Sequence, residues 1–226
     1  MSGARTFLAI ISYPLIVMFV FDWVYVLRYS KSALPPEAKA KIEREGRPLI
    51  LVRFAILLLV LRILAGKSFW HIVPIASHSR SWFVILGSGF GFGIALLGIR
   101  RAISLLWPPA AATSEYFLHG SSSLWIAIFI VGAFVEEFWR ALCISAMQQN
   151  GGSALLAGLL TAIAFGIAHV SGLPSRVLPG GTNAEMLIGF GLGAVFLWSN
   201  NLFAPVLASL IYFSTTFFLI RTPKEI

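Results

Sequence analysis

The segment LWIAIFIVGAFVEEFWRALCISAM, residues 124–147, is an apolar run of membrane-spanning length that carries three charged side chains. A transmembrane helix needs about 20 predominantly apolar residues, so this segment predicts one spanning helix. An ionised carboxylate is costly in hydrocarbon unless it is paired, neutralised or turned towards water. Glu136, Glu137 and Arg140 are therefore candidate functional residues within the segment that sets the fold class.

The composition of the whole chain indicates a membrane protein. Of its 226 residues, 58% are hydrophobic and 12% are charged, and the mean hydropathy is +0.86. These values lie outside the usual range of soluble globular domains. The net charge of +8 does not indicate a nucleic-acid partner, because the basic residues cluster between apolar runs, where they set topology or contact anionic lipid. The single cysteine, Cys143, excludes a disulfide framework and a thiolate metal cluster.

The apolar runs predict an all-α, polytopic bundle of about seven transmembrane helices in a single membrane domain, residues 1–226. Only Asn200 and Asn201 separate the last two spans, which predicts a tight hairpin between them. Pro205 then falls early in the final helix, where a missing backbone donor is tolerated. The predicted spans are Phe7–Leu27, Leu49–Ala65, Trp82–Ile99, Leu124–Met147, Ala154–Val170, Ala184–Ser199 and Leu202–Ile220.

Lysine and arginine residues in the connecting segments predict the topology. The segment over residues 28–48 is the most basic of these, so it is expected to be a cytoplasmic loop, with the N-terminus outside and the C-terminus inside. The predicted location is accordingly the cytoplasmic membrane, with multiple passes. Within the loop, Pro35–Arg47 is rich in Ala, Glu and Lys and indicates either a short charged helix on the cytoplasmic surface or a solvated connector.

Glycines recur at a spacing of four residues in two of the predicted spans. The pairs are Gly87 and Gly91, Gly89 and Gly93, and Gly189 and Gly193. Small residues at this spacing let helix backbones approach closely in a membrane, so all three pairs are expected to lie at helix contacts.

The three charges of the fourth span cannot all face one another. Glu136 and Arg140 are neighbours at i and i+4 and could form a neutralising pair, whereas Glu137 projects about 100° away and needs a partner of its own. His169, at the end of the fifth span, is the expected partner. It lies near the cytoplasmic end of its span, so it meets the glutamates only if its helix continues towards Pro174 or the fourth helix starts outside the membrane.

Three motifs together resemble a known family. They are EE followed by R in the fourth span, F-x-x-x-H at Phe165 and His169, and IGFGLGAVFLWSNNLFAPVLASLIYF over 188–213. This pattern, which covers about 124–213, resembles the CAAX protease and bacteriocin-processing (CPBP) family of membrane endopeptidases. The resemblance implies an all-helical bundle around a polar cavity. It also implies peptide-bond hydrolysis, with a glutamate as general base and with histidine and asparagine assisting or stabilising the oxyanion.

The chain departs from the family pattern at two of the three motifs. The family has E-E-x-x-x-R, but here only two residues separate Glu137 from Arg140, so alignment on the arginine places Val135 and Glu136 at the two glutamate positions. In the third motif, H-x-x-x-N, the chain has Ser209 and Phe213. Ser209 is a candidate replacement donor, although a serine in a membrane helix usually bonds its own backbone.

The sequence leaves three functions open. The first is a divergent CPBP protease in which Glu136 or Glu137, with Arg140 and His169, acts on a membrane-anchored peptide or protein. The second is a catalytically silent subunit of a larger membrane complex, and the third is a transporter or proton relay. All three place the chain in the lipid bilayer. No cofactor is expected, although a divalent metal ion at Glu136, Glu137 and His169 is an alternative to the metal-free site.

Overall fold

The computed structural model describes residues 1–17, 36–74, 81–106, 122–170 and 179–221. For the helix ends at 36–50, 104–106, 122–125, 169–170, 179–184 and 216–221 it describes the backbone alone. The described residues are helical and contain no strand, which confirms the all-α prediction. The helices are α1 (Gly3–Val17), α2 (Pro36–Ala65), the 3-10 turn Gly66–Ser68, α3 (Phe69–Ile72), α4 (Trp82–Leu106), α5 (Ser122–Gln149), α6 (Ala154–Val170), α7 (Pro179–Ser199) and α8 (Phe203–Arg221).

One described stretch, Trp82–Ile103 in α4, is long and apolar enough to cross a membrane by length and composition. It has 22 residues and a mean hydropathy of 2.0. Four further apolar stretches are shorter, at Gly3–Val17, Ala154–Ala168, Glu185–Ser199 and Phe203–Thr215. The count of seven spans and the orientation in the membrane therefore stay predictions.

The predicted short helix at Pro35–Arg47 is not a separate element. Helix α2 runs without interruption from Pro36 to Ala65 and joins this charged stretch to the second predicted span. Ala, Glu, Lys and Arg are strong helix formers, so the charged residues extend the apolar helix instead of ending it. The basic loop over 28–48 thus falls partly within α2, and its residues 28–35 lie outside the described part of the chain.

Helix α5 is the centre of the bundle. It packs against α1, α2, α6, α7 and α8, and every residue from 135 to 146 is buried. A helix that is buried on all sides cannot present a polar face to solvent, so its charged side chains must find partners inside the protein.

Helix α1 runs antiparallel along α5. Three side-chain hydrogen bonds mark its path. Asn150 donates to the Met1 carbonyl, and Trp139 donates to the Ala9 carbonyl at 2.8 Å. One turn further along α1, the Tyr13 hydroxyl donates to Glu136. Residues near the start of the chain are thereby held against the middle of α5.

Two of the three glycine pairs lie at close helix contacts, as predicted. One pair lies where α4 meets α8, and the other lies where α7 meets α5 and α6. A Cβ on Gly89 would lie 2.7 Å from the Ala204 carbonyl oxygen of α8, and one on Gly93 would lie 2.9 Å from Ile211 Cβ. Gly189 and Gly193 likewise face α6 and α5. The prediction for the third pair, Gly87 and Gly91, is wrong within the described part of the chain, where added Cβ atoms would meet nothing within 4 Å. The two α4 pairs are offset by two residues, so only one of them can face α8.

The predicted hairpin between the last two helices is confirmed. Helix α7 ends at Ser199 and α8 begins at Phe203, with Asn200 in the left-handed region at φ 47°. The Asn201 side chain accepts a hydrogen bond from the Phe203 amide at 2.7 Å and so caps α8. Pro205 falls in the first turn of α8, where its missing amide donor is of no consequence.

Replacing Gly89 with alanine should destabilise the bundle, because the new methyl group would collide with the backbone of α8. We expect a loss of about 1–3 kcal/mol in the free energy of unfolding, measured by thermal unfolding in detergent. Gly91→Ala is the matched control on the same helix and should not destabilise it, because its methyl group meets open space. Equal losses in the two variants would contradict the close contact between α4 and α8.

Candidate functional site

Glu136 is held by the N-terminal helix. The Tyr13 hydroxyl of α1 donates a hydrogen bond of 2.8 Å to Glu136 Oε1, and both side chains are buried. The positive charges of Arg53 in α2 and Arg140 in α5 also act on Glu136. Its carboxylate is therefore stabilised from three helices, two of which precede the motif region in the chain.

Glu137 forms the ion pair with Arg140. Arg140 Nη1 donates to Glu137 Oε2 across one turn of α5, and both side chains are almost completely buried. The expected pair of Glu136 with Arg140 at i and i+4 is therefore wrong. The two glutamates therefore have different partners, Tyr13 for Glu136 and Arg140 for Glu137.

Several polar atoms around this ion pair are buried without a hydrogen-bond partner among the described residues. They are Glu137 Oε1, Nε and Nη2 of Arg140, and Ser209 Oγ of α8. The Ser209 hydroxyl lies near the Glu137 carboxylate, although outside hydrogen-bond geometry. Buried polar groups are nearly always satisfied by protein or by ordered water. Since Ser209 adjoins Glu137, which pairs with Arg140, these atoms belong to one small polar site between α5 and α8.

Phe165 brings the second motif to this site. Its ring lies 4.7 Å from Arg140 Cζ in a cation–π arrangement and stacks on Tyr13 at a centroid distance of 6.2 Å. Helices α5 and α6 are antiparallel neighbours, so four residues onward in α6 correspond to four residues back in α5, about 6 Å along each axis. The short connection between the two helices therefore places the backbone of His169 within about one helical turn of the level of Glu136.

The described residues test neither of the two conditions set for this meeting. Helix α5 begins at Ser122, two residues before the predicted span, and α6 is described as far as Val170, whereas Pro174 lies outside the described residues. The His169 side chain lies outside the described residues. Its convergence with the glutamates stays a prediction that the backbone register supports.

Two residues of the cluster, Tyr13 and Arg53, were missed from the sequence. Arg53 offered a signal, because a charge inside the predicted span Leu49–Ala65 is unusual and calls for a partner. Tyr13 offered none, since a tyrosine in an apolar run is commonly a packed or interfacial residue. Only the antiparallel packing of α1 on α5 brings it to Glu136.

Phe213, which stands at the asparagine position of the third motif, has apolar surroundings in the structure. Phe213 packs against the hydrophobic core and lies edge-to-face on Tyr212 at a centroid distance of 5.1 Å. A phenyl ring cannot donate a hydrogen bond to an oxyanion, so the role that the resemblance gives to asparagine is not filled at this position.

The described residues contain no group of three His, Cys, Asp or Glu side chains that could hold a metal ion. The alternative site at Glu136, Glu137 and His169 depends on the histidine, whose side chain is outside the described part. The two carboxylates are committed to different partners, Tyr13 and Arg140, and this divergence does not favour a shared ion.

A second polar cluster lies away from this site. Arg100 of α4 pairs with Glu185 of α7 at 3.5 Å and donates to the Tyr212 hydroxyl of α8. It joins three helices that also pack through apolar contacts, and Glu185 supplies a carboxylate for comparison with the two in α5.

Comparison with known families supports the resemblance that the three sequence motifs indicate. Residues 118–212 match the family model described as type II CAAX prenyl endopeptidase Rce1-like. The matched segment covers less than half of the chain, and we refer to it below as the Rce1-like domain. The match confirms the resemblance to CAAX proteases, and the family consists of membrane proteins. No match was found among curated proteins or among solved structures. The Rce1-like domain includes α5, α6 and α7 and most of α8, whereas Tyr13 and Arg53 lie outside it.

Removing the Arg140 charge should destabilise the protein strongly, because it would leave Glu137 buried without its counter-charge. We expect Arg140→Met to lower the free energy of unfolding by about 3–5 kcal/mol in thermal or denaturant unfolding. The double variant Glu137→Gln with Arg140→Met should lose less than Arg140→Met alone, since no unpaired charge remains at that pair. A double variant that is no better than the single one would contradict the pairing.

Proposed function

We propose that this chain is a membrane endopeptidase of the CAAX protease type, in which Glu137 activates the water that hydrolyses a peptide bond in a membrane-anchored substrate. The observation that carries the proposal is the state of the two carboxylates. Glu136 is engaged by Tyr13, whereas Glu137 is held at Oε2 by Arg140 and keeps Oε1 without a hydrogen-bond partner among the described residues. A general base needs an open lone pair within hydrogen-bond reach of a water.

The reaction can be written with these groups. A water proton moves to Glu137 Oε1 while the water oxygen attacks the scissile carbonyl carbon. The resulting oxyanion accepts hydrogen bonds from Ser209 Oγ and from His169, which the resemblance assigns to this role. When the C–N bond breaks, the proton on Glu137 passes to the leaving nitrogen, which gives one carboxyl and one amine terminus. Arg140 holds the Glu137 carboxylate in place throughout.

The outer surface of the bundle supports a setting in lipid. Phe83 is 87% exposed, Ile63 is 68% exposed and Leu155 is 60% exposed, on α4, α2 and α6 respectively. Soluble monomers rarely expose many large apolar side chains on several helices. Lipid contact by these faces agrees with a substrate that is itself anchored in the membrane, such as the prenylated peptides named in the family description.

A second candidate function is a catalytically silent Rce1-like subunit that assembles with or stabilises a larger membrane complex. Phe213 favours it, because this apolar ring occupies the position of the asparagine in the third motif. In that case the Glu137–Arg140 and Glu136–Tyr13 pairs serve as buried structural contacts only.

Replacing Glu137 with glutamine should abolish cleavage while keeping the fold, because the amide preserves the shape of the side chain but cannot take a proton. We expect the rate to fall by about 10²–10⁴-fold. The assay is cleavage of a fluorogenic prenylated peptide by the full chain in detergent or in vesicles. Glu185→Gln is the matched control, since Glu185 pairs with Arg100 outside the site, and it should retain activity.

Two outcomes contradict the proteolytic proposal. One is a Glu137→Gln variant that cleaves as fast as the parent chain. The other is a parent chain that cleaves no prenylated or other membrane-anchored peptide while a stable membrane partner co-purifies with it, which supports the silent subunit.

Replacing Ser209 with alanine should lower the turnover number by about 10²–10³-fold if its hydroxyl stabilises the oxyanion. The control is Ser214→Ala on the same helix, whose hydroxyl donates to the Leu210 carbonyl and takes no part in the site. Steady-state kinetics of both variants should separate the two serines. Equal rates for Ser209→Ala and the parent chain would show that Ser209 is not the donor.

A further inference from the structure

We infer that Tyr13 is a positioning residue of the active site, whose hydroxyl decides which of the two glutamates binds Arg140. The inference rests on the proposed function and adds a residue from outside the Rce1-like domain. It starts from the hydrogen bond of 2.8 Å between the Tyr13 hydroxyl and Glu136 Oε1, which joins residues 123 positions apart.

Arg140 has two glutamates within reach on its own helix. Glu136 stands at i−4 and Glu137 at i−3, and both spacings bring side chains together on a helix. Glu-to-cation pairs at i and i+4 are a favoured arrangement, yet Arg140 donates to Glu137. Helix geometry alone therefore does not select the observed partner.

The contacts of Glu136 determine which of the two glutamates binds Arg140. Its carboxylate accepts from Tyr13, and the charge of Arg53 acts on the same pair of side chains. A hydrogen bond to a carboxylate is stronger than one between neutral groups, particularly in a buried setting. With Glu136 satisfied towards α1, the Arg140 guanidinium is available to hold Glu137.

The Tyr13 hydroxyl is not needed to attach α1 to α5. Trp139 already donates to the Ala9 carbonyl at 2.8 Å, and the Tyr13 ring stacks on Trp139 with centroids 4.3 Å apart. A phenylalanine at position 13 would keep that stacking. Burying a hydroxyl costs free energy unless it is hydrogen-bonded, so its specific contribution is the bond to Glu136.

Loss of the hydroxyl has a definite consequence for the site. Glu136 would lose the Tyr13 hydrogen bond and would compete more strongly with Glu137 for Arg140. Arg140 would then no longer hold Glu137 in its observed position beside Ser209. Tyr13 thus acts through Glu136 and Arg140 and does not touch the substrate.

The test is Tyr13→Phe in the full chain, assayed by cleavage of the prenylated peptide. We expect kcat to fall by about 10- to 100-fold with KM unchanged, because the lost hydrogen bond to a charged group positions the base and does not bind substrate. Adding Glu136→Gln to Tyr13→Phe should restore much of kcat, since the competing carboxylate is gone. A double variant as slow as Tyr13→Phe, or a kcat that is unchanged in Tyr13→Phe, overturns the inference.

Trp139→Phe is the control for the structural role. It removes a second buried hydrogen bond between α1 and α5 and should lower thermal stability without changing kcat. If Trp139→Phe and Tyr13→Phe reduce kcat equally, Tyr13 only anchors the helix, and the positioning role is rejected.

Infrared spectroscopy tests the role of Tyr13 separately from the proposed proteolytic activity. In the infrared difference spectrum between parent and Tyr13→Phe, we expect a shifted carboxylate stretching band that disappears when both proteins carry Glu136→Gln. This result supports the selection of Glu136 by Tyr13 even if no peptide is cleaved. A band that persists in the Glu136→Gln background overturns it, whereas failure of Glu137→Gln to affect cleavage counts only against the protease proposal.

Discussion

The need to neutralise two adjacent glutamates inside an apolar helix governs the rest of this structure. Glu136 and Glu137 are buried in the central helix α5, where an unpaired carboxylate would be costly. Consecutive side chains on a helix point about 100° apart, so one partner cannot serve both. The bundle supplies Tyr13 from α1 on one side and Arg140 from α5 itself on the other.

This constraint explains why the N-terminal helix packs where it does. Helix α1 brings Tyr13 and the Ala9 carbonyl to α5, and α2 adds the charge of Arg53. On the opposite side, Gly193 lets α7 pass close to the stem of Arg140, because a Cβ there would lie 3.6 Å from Arg140 Cδ. The partners of the two glutamates and the close approach of α7 therefore involve the same part of α5. The active site we propose depends on helices on both sides of the Rce1-like boundary.

The sequence predicted what local rules determine. Apolar run length predicted the helices, glycine spacing predicted that Gly89 and Gly93 lie at a helix contact, and the dipeptide Asn200–Asn201 predicted the final hairpin. The motif residues Glu137, Arg140 and Phe165 come together because they share α5 or lie level with it on α6. Each of these outcomes depends on periodicity along one helix or on a short connection.

The sequence did not predict what depends on contacts between distant segments. We attribute the pairing of Arg140 with Glu137 to Tyr13, which lies 123 positions before Glu136. A contact between residues so far apart leaves no periodic pattern in the sequence. The same limit applies to Gly87 and Gly91, whose spacing equals that of Gly89 and Gly93 but whose face points away from α8. Spacing defines which residues share a face, but the packing of the whole bundle decides which face is buried.

An experimental structure of the full chain in lipid, at a resolution that shows ordered water, would show whether Glu137 binds a water that it can activate. We predict a water hydrogen-bonded to Glu137 Oε1, between Ser209 and the His169 imidazole, while Glu136 stays bonded to Tyr13. A His169 ring more than about 8 Å from both glutamates, too far for direct or one-water contact, would contradict it. So would an apolar side chain packed directly against Glu137 Oε1.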